Sequence, residues 1–192
     1  MFTGIVQKVA QIKNAERRGG GLILYIATPG GWKIKAGQSI ATDGVCLSVE
    51  KVSKAYYQCR MMPETLSKTT FGIVIPKQVN LELSLILGEK IDGHFVTGHV
   101  DTVGKIVKVV ASSESRVYEV QFLRKFKKLI AEKGSVAVDG VSLTVVDVGR
   151  HSFTISLVKY TLEHTTLGHK GAGDVVNLEF DILARYIAAQ TK

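Results

Sequence analysis

Ser135-Val-Ala-Val-Asp139-Gly140-Val-Ser142-Leu-Thr144-Val145 decides the fold, because it occurs twice: Ser39-Ile-Ala-Thr-Asp43-Gly44-Val-Cys46-Leu-Ser48-Val49 stands 96 residues earlier and is identical at seven of eleven positions. Each copy sets an Asp-Gly pair between two β-rich runs, which is the strongest short-range signal for a hairpin, since that turn needs positive φ at both central residues. The copies differ just beyond the turn, where Cys46 offers a thiol and Ser142 a hydroxyl.

Two further blocks repeat in the same order. Thr161–Gly168 matches Thr65–Gly72 at five of eight positions, and Val176-Asn177-Leu178-Glu179 repeats Val79-Asn80-Leu81-Glu82 at all four. Three blocks held in one order, the first two shifted by 96 residues and the third by 97 through a one-residue insertion, identify a tandem duplication of a unit just under 100 residues long. Within each unit, short β-rich runs are separated by turn signals, and no long amphipathic helix appears. That pattern predicts an all-β chain of two similar six-stranded antiparallel, Greek-key-like barrels, a closed architecture that leaves no sheet edge unpaired. An open sandwich is the alternative. The expected division is 1–93 for the first barrel, 94–180 for the second and 181–192 for a C-terminal helix. Ile182, Leu183, Tyr186 and Ile187 give that helix one apolar face, suited to a neighbouring subunit.

Locally, Phe2 to Lys13 reads as a first strand, Gly19-Gly20-Gly21 as a hairpin tip, Pro63–Ser67 as a short helical turn, and Arg124–Lys133 as a helix with Phe126, Leu129 and Ile130 on one face. The glycine triplet lacks the Gly-Lys-Ser/Thr of a phosphate-binding loop.

Composition excludes several classes. Hydrophobic residues make up 45% and charged residues 22%, an ordinary globular balance. No apolar run reaches the roughly 20 residues of a membrane helix, and Met1-Phe-Thr-Gly does not resemble a secretory signal, so a cytoplasmic location is expected. Cys46 and Cys59 are then free thiols. The net charge of +8 is concentrated in Arg124–Lys128 and Arg17-Arg18, without the aromatic interleaving of a nucleic-acid platform. No Cys-x-x-Cys or His-x-x-x-His spacing supports a metal, and no Gly-x-Ser-x-Gly elbow supports a serine hydrolase. His94 and His99, five apart in what reads as a β-type run, should face opposite ways.

Taken together, Met1-Phe2-Thr3-Gly4-Ile5-Val6, Gly44-Val-Cys46-Leu-Ser48-Val, Gly93-His94-Phe-Val-Thr97-Gly98-His99, Asp139-Gly140-Val-Ser142-Leu-Thr144-Val and Thr165-Thr166-Leu-Gly168 resemble the riboflavin synthases of the trimeric α type, over essentially the whole chain. The resemblance implies a dismutation of two molecules of 6,7-dimethyl-8-ribityllumazine. One transfers a four-carbon unit to the other, giving riboflavin and 5-amino-6-ribitylamino-pyrimidinedione, the last step of riboflavin biosynthesis, with no cofactor and no metal. It also implies a homotrimer with active sites between subunits and a possible complex with lumazine synthase, and no nucleic-acid or membrane partner.

Carried over position by position, the resemblance makes Ser142, Asp139, His99, Cys46 and Phe2 the catalytic set. Gly4, Ile5, Ser39, Ser48, Glu64, Thr65, Thr97, Gly98, Val100, Lys133, Thr144 and Thr161 would hold substrate. Two features depart from the family: the 13 residues after Glu179 make a short terminal helix, and Tyr160 stands before Thr161 where Glu64 stands before Thr65. A chromophore-binding antenna protein of the same fold is the alternative reading. A flavin reductase would need a following nucleotide-binding unit.

Overall fold

The computed structural model describes residues 1–190. Twelve strands form two closed antiparallel barrels. The first comprises β1 (Lys8–Arg18), β2 (Gly21–Ala27), β3 (Ser39–Thr42), β4 (Val45–Val52), β5 (Tyr56–Met61) and β6 (Gln78–Leu83), in the circular order β1-β2-β5-β4-β3-β6. The second comprises β7 (Thr102–Ala111), β8 (Ser115–Gln121), β9 (Ser135–Val138), β10 (Val141–Val148), β11 (Ser152–Val158) and β12 (Val175–Phe180), closed in the equivalent order. Short helices α1 (Pro63–Lys68) and α2 (Lys159–His164) lie between the last two strands of each barrel, and α3 (Ile182–Gln190) follows β12.

Closure depends on strand alternation and on paired irregularities. Val45, Leu47 and Val49 of β4 point into the first core with Leu22, Leu24, Ile26, Tyr57 and Leu81, while Cys46 and Ser48 point outward. The second core is built the same way around Tyr118, Val120, Phe153, Leu178 and Phe180. Register breaks recur at equivalent places, between Val49 and Lys51 in β4 and between Val145 and Asp147 in β10, where a bulge adds the bend that a small barrel needs.

The barrels meet through the two repeated hairpins. Asp43 (φ 44°) with Gly44 (φ 78°), and Asp139 (φ 46°) with Gly140 (φ 78°), form the expected two-residue turns. The turns touch backbone to backbone, since a Cβ on Gly44 would lie 2.7 Å from Gly140 N and one on Gly140 the same distance from Gly44 N. The asparagines of the repeated Val-Asn-Leu-Glu block lock them. Asn80 donates to the Asp139 carbonyl (2.9 Å) and accepts from Thr166 N–H (2.8 Å); Asn177 donates to the Asp43 carbonyl (2.8 Å) and accepts from Thr70 N–H (2.8 Å). Each amide is buried, so loss of one strands two backbone groups at about 1–3 kcal/mol apiece.

Three local readings are corrected. The first strand begins at Lys8 and runs to Arg18, because Phe2–Val6 leaves its own barrel: Gly4 takes φ 76°, its carbonyl accepts from Ser142 N–H of the second barrel, and Val6 packs on the second core. Residues 93–99 are likewise no strand; only a single bridge, Phe2 to Val96, is formed there. Arg124–Lys133 is a 3-10 turn over Arg124–Leu129 rather than an α-helix; Phe126 stacks on Phe180 (5.3 Å) and Lys127 Nζ donates to the Gly149 carbonyl (2.8 Å). The terminal helix forms over Ile182–Gln190, and the last two positions of the expected segment, 191 and 192, lie outside the described residues.

The inter-barrel contact holds two carboxylates and one cation. Asp139 Oδ1 accepts from Asn177 N–H, and its Oδ2 stands 2.7 Å from Lys170 Nζ. Asp43 Oδ1 accepts from Asn80 N–H but has no ion pair of its own among the described residues. Burial first, and then the neighbouring Asp139, raise its carboxyl well above the ordinary value, with Lys170 and the Asn80 bond opposing. A carboxylic acid with a raised folded-state value loses stabilisation as pH climbs above its unfolded value of about 3.9. Asp43→Asn should therefore raise the melting temperature, with the gap over the parent wider at about pH 8 than at about pH 5. Thermal melts across that range decide it; a gap that narrows with rising pH would refute the unpaired-carboxylate reading.

Candidate functional site

The segments that leave their barrels build the site. In the first half-site, Glu179 of β12 accepts from Thr97 N–H (2.7 Å), Thr97 Oγ1 (2.6 Å) and Gly98 N–H (2.9 Å), clamping 97–98 against the first barrel's hairpin. Gly98 has φ 80°, its carbonyl accepts from Cys46 N–H (2.9 Å), and a Cβ there would lie 2.5 Å from the Cys46 Cβ. Val100 then enters the first core. In the second half-site Glu82 holds Thr3 N–H (2.6 Å), Thr3 Oγ1 (2.7 Å) and Gly4 N–H (3.0 Å), and the Gly4 carbonyl accepts from Ser142 N–H (2.7 Å). Val6 packs on the second core. Each barrel thus lends the strand-leading segment before its first strand to the other barrel's hairpin.

A cavity of about 330 Å³ opens at the first half-site, bounded by Cys46, Glu64, Thr65, Gly98, His99 and Val100 and completed by Val45, Lys68 and Thr69. Six expected site residues thus converge, and Ser39 and Ser48 are register partners on the adjoining strands. Lys68 escaped the sequence reading although its place in the Thr65–Gly72 block marked it; its Nζ stands 2.8 Å from Glu64 Oε1 and draws that carboxyl below the usual range.

The second half-site gathers Ser142, Thr144, Gly4 and Ile5, while Thr161 stands in α2, where its carbonyl accepts from Thr165 Oγ1. Ser142 and Thr144 project outward from β10 with the inward Leu143 between them, while Gly4 and Ile5 arrive from the N-terminus. His94 Nδ1 lies 2.7 Å from Ser142 Oγ, a contact the sequence showed only as a histidine in a linker. Burial holds the His94 imidazole below its ordinary value, with Asp181 opposing. His99 lies in the other half-site, against Cys46, so the two histidines do part as expected, through separate barrels rather than strand alternation.

Two of the expected catalytic residues lie apart from the half-sites. Asp139 is wholly buried beneath the hairpin and bound to Asn177 and Lys170; Phe2 is wholly buried with Ala41, Val96 and Ala137 between the barrels. Lys133 is exposed at the turn before β9 with φ 63°, an unusual conformation for a side chain of that size, where the first repeat has Gly37 (φ 84°). Cys59 is a buried core residue whose thiol burial pushes up to about 12. No cluster of metal-ligating side chains exists among the described residues.

A sequence model described as the lumazine binding domain matches residues 3–84 and again 97–181. Riboflavin synthase of Actinobacillus pleuropneumoniae is 38% identical over 189 residues, covering 97% of this chain and 88% of its own, and that of Brucella abortus is 39% identical over 195 residues, covering 98% and 96%. The chain belongs to the riboflavin synthase family. Among solved structures, LumP complexed with riboflavin superposes with a TM-score of 0.87 at 21% identity, covering 94% of this chain and 99% of LumP, and LumP complexed with 6,7-dimethyl-8-(1'-D-ribityl) lumazine with 0.84 at 21%, covering 93% and 98%. These structures share the fold. The two matched segments begin at Thr3 and Thr97, the residues with which the crossing segments are clamped.

Crossing makes Gly98 a test of the first half-site alone. Gly98→Ala should cost about 2 kcal/mol or more, from positive φ and from collision with Cys46, and should weaken ligand binding in that cavity. Gly30→Ala, with open space around it, should change neither. Melting temperature and ligand titration of the two variants check this; equal behaviour would show that the crossing segment yields.

Proposed function

We propose that this protein is a riboflavin synthase, converting two molecules of 6,7-dimethyl-8-ribityllumazine into riboflavin and 5-amino-6-ribitylamino-pyrimidinedione by transfer of a four-carbon unit, a transferase reaction. The observation that carries the reading is the duplicated half-site: two outward hairpin faces, each completed by a Thr-Gly segment from the other barrel and held by a matching glutamate. A reaction between two copies of one molecule calls for two related pockets, and relatives named riboflavin synthase match 97% or more of the chain. Holding both reactants in register can contribute on the order of 7–11 kcal/mol to a bimolecular step.

Ser142, with His94 behind it, handles protons at one pocket, and Cys46 and His99 face the ligand at the other. Thr144, Thr161 and Lys133 on one side, and Ser39, Ser48, Glu64 and Thr65 on the other, supply polar contacts to ribityl and ring. Asp139 and Phe2 act by positioning, the first by fixing the Ser142 hairpin and the second by pinning the N-terminal crossing segment between the barrels.

In this reading the two pockets that react belong to different subunits of a homotrimer, joined in part through the exposed Leu183 and Tyr186 of α3, and the enzyme works in the cytoplasm beside a lumazine synthase. A chromophore carrier without turnover is the second reading, supported by the fold of LumP; its 21% identity stands against 38–39% for the synthases.

Purified protein given 6,7-dimethyl-8-ribityllumazine alone should accumulate riboflavin, seen by its absorption and fluorescence, without added nucleotide or metal. Binding with a spectral shift but no riboflavin would transfer the assignment to the carrier. Sedimentation should show a trimer, and full activity in a species that sediments only as monomer would remove the inter-subunit site.

A further inference from the structure

The repeat that makes the half-sites alike breaks at one pair of helix positions. Helices α1 and α2 begin and end in the same backbone conformation: the residues preceding them, Met62 and Val158, have φ/ψ of −80/161° and −75/160°, and those following, Thr69 and Thr165, have −121/161° and −133/162°. Both helices are tied to the opposite barrel by the residue after that, through Thr70 N–H to Asn177 and Thr166 N–H to Asn80. Tyr160 and His164 therefore occupy in the second half-site the places that Glu64 and Lys68 occupy at the rim of the first cavity.

The chemistry at those places is opposite. Glu64 and Lys68 form an ion pair at 2.8 Å. Tyr160 and His164 stack, ring centroids 4.0 Å apart and planes within 17°, and His164 Nδ1 donates to the Tyr160 carbonyl at 2.8 Å, which fixes the imidazole beneath the phenol ring. Tyr160 is nonetheless 70% exposed, so one ring face is covered by His164 and the plate stays open on its other side. An offset or parallel stack on an aromatic face suits a flat, electron-poor heterocycle, and a hydrogen-bonded backing ring holds that face in place before the ligand arrives.

We propose that Tyr160 and His164 are the specificity element of the second half-site, receiving the flat ring system of a lumazine or flavin face-on, whereas Glu64 and Lys68 bind the polar groups of the ligand in the first. The inference rests on the function proposed above. It makes the two pockets inequivalent toward identical molecules, so that one ligand is held by its ring face and the other by its hydrogen-bonding edge and side chain.

Riboflavin serves as the probe, because it carries the ring system and does not turn over alone. Titration of the wild-type protein, followed by flavin fluorescence, should resolve two classes of site. Tyr160→Ala should weaken one class roughly three- to tenfold and abolish the stacking-induced change in its flavin absorption band, while Tyr160→Phe keeps both to within about twofold. Glu64→Gln should disturb only the other class. Unchanged affinities in Tyr160→Ala, or a loss in Tyr160→Phe as large as in Tyr160→Ala, overturns the plate. A wild-type protein that binds riboflavin at neither site overturns the parent reading as well, and so is told apart from failure of the plate alone. The exposure of Tyr160 lets the alanine variant fold, which an unchanged melting temperature confirms.

Discussion

The structure depends on an exchange. Each barrel gives up the segment before its first strand to the other, and four side chains from two copies of a single four-residue block hold the arrangement in place. Asn80 and Asn177 tie each barrel to the other's hairpin and helix, while Glu82 and Glu179, two residues on in the same strands, take the N–H groups of Thr3-Gly4 and Thr97-Gly98. Because asparagine and glutamate are two apart they point to the same side of the strand, toward the partner barrel, so one strand face serves the interface and the site together. A carboxylate accepting three donors from one short segment gives charge-assisted bonds in a buried setting, where leaving them unmade would be costly. The site is rigid for the same reason that the barrels cannot part: both draw on the same residues.

Much of this was legible beforehand, and the missing parts have a common cause. The hairpins were visible because Asp-Gly between β-rich runs is a local signal, and the duplication because three blocks kept their order. Six-stranded closure followed from the number of short strands. The swap was not visible. Val-Asn-Leu-Glu reads as a strand in either copy, and nothing in a strand pattern says that its asparagine will cap a helix of the other barrel. Thr3-Gly4 and Thr97-Gly98 form a fourth repeated pair that could have been noticed, yet their partners Glu82 and Glu179 are about 80 residues away in sequence, where no periodicity reaches. The Arg124 segment misled for a related reason: its spacing fits a helix, but the stacking of Phe126 on Phe180 and the reach of Lys127 to the next turn are tertiary contacts that hold it as a tighter turn.

The site residues divide along the same line. Cys46, Ser48, Ser142 and Thr144 could be placed on outward strand faces from alternation alone, and Glu64 and Thr65 by the repeat. Asp139 and Phe2 belong to the same motifs, and their burial at the inter-barrel contact was not to be inferred from the motif, since a turn aspartate is exposed in most hairpins and here meets the mirror-image turn of the second copy. His94 is the counterpart case: a linker histidine in the sequence, it reaches Ser142 only because Gly93 lets the chain lie against the second hairpin, a Cβ there being 2.9 Å from the Ser142 Cβ.

A duplicated scaffold constrains where two sites can diverge. Positions that carry the exchange are identical in both copies, the two Asp-Gly turns, the two asparagines, the two glutamates and the two Thr-Gly pairs, because a change in any one would be felt in both barrels. Core positions differ too, as Tyr57 against Phe153 and Met61 against Leu157, but the changes of chemical type stand on the two half-sites and their rims: Cys46 against Ser142, Ile5 against His99, Glu64 against Tyr160, Lys68 against His164, Gly37 against Lys133. A symmetric frame with asymmetric linings is what a reaction between two identical molecules demands, since the frame must present both in matching geometry while the linings must make one give and the other receive. Lys133 fits that logic closely. It keeps a left-handed backbone that glycine supplies in the first copy, and a lysine tolerates the strain of that conformation only where the surrounding turn imposes it, here through the bond from its N–H to the Val145 carbonyl at 2.9 Å. The turn is inherited from the repeat, and the cation on it is found in one copy alone.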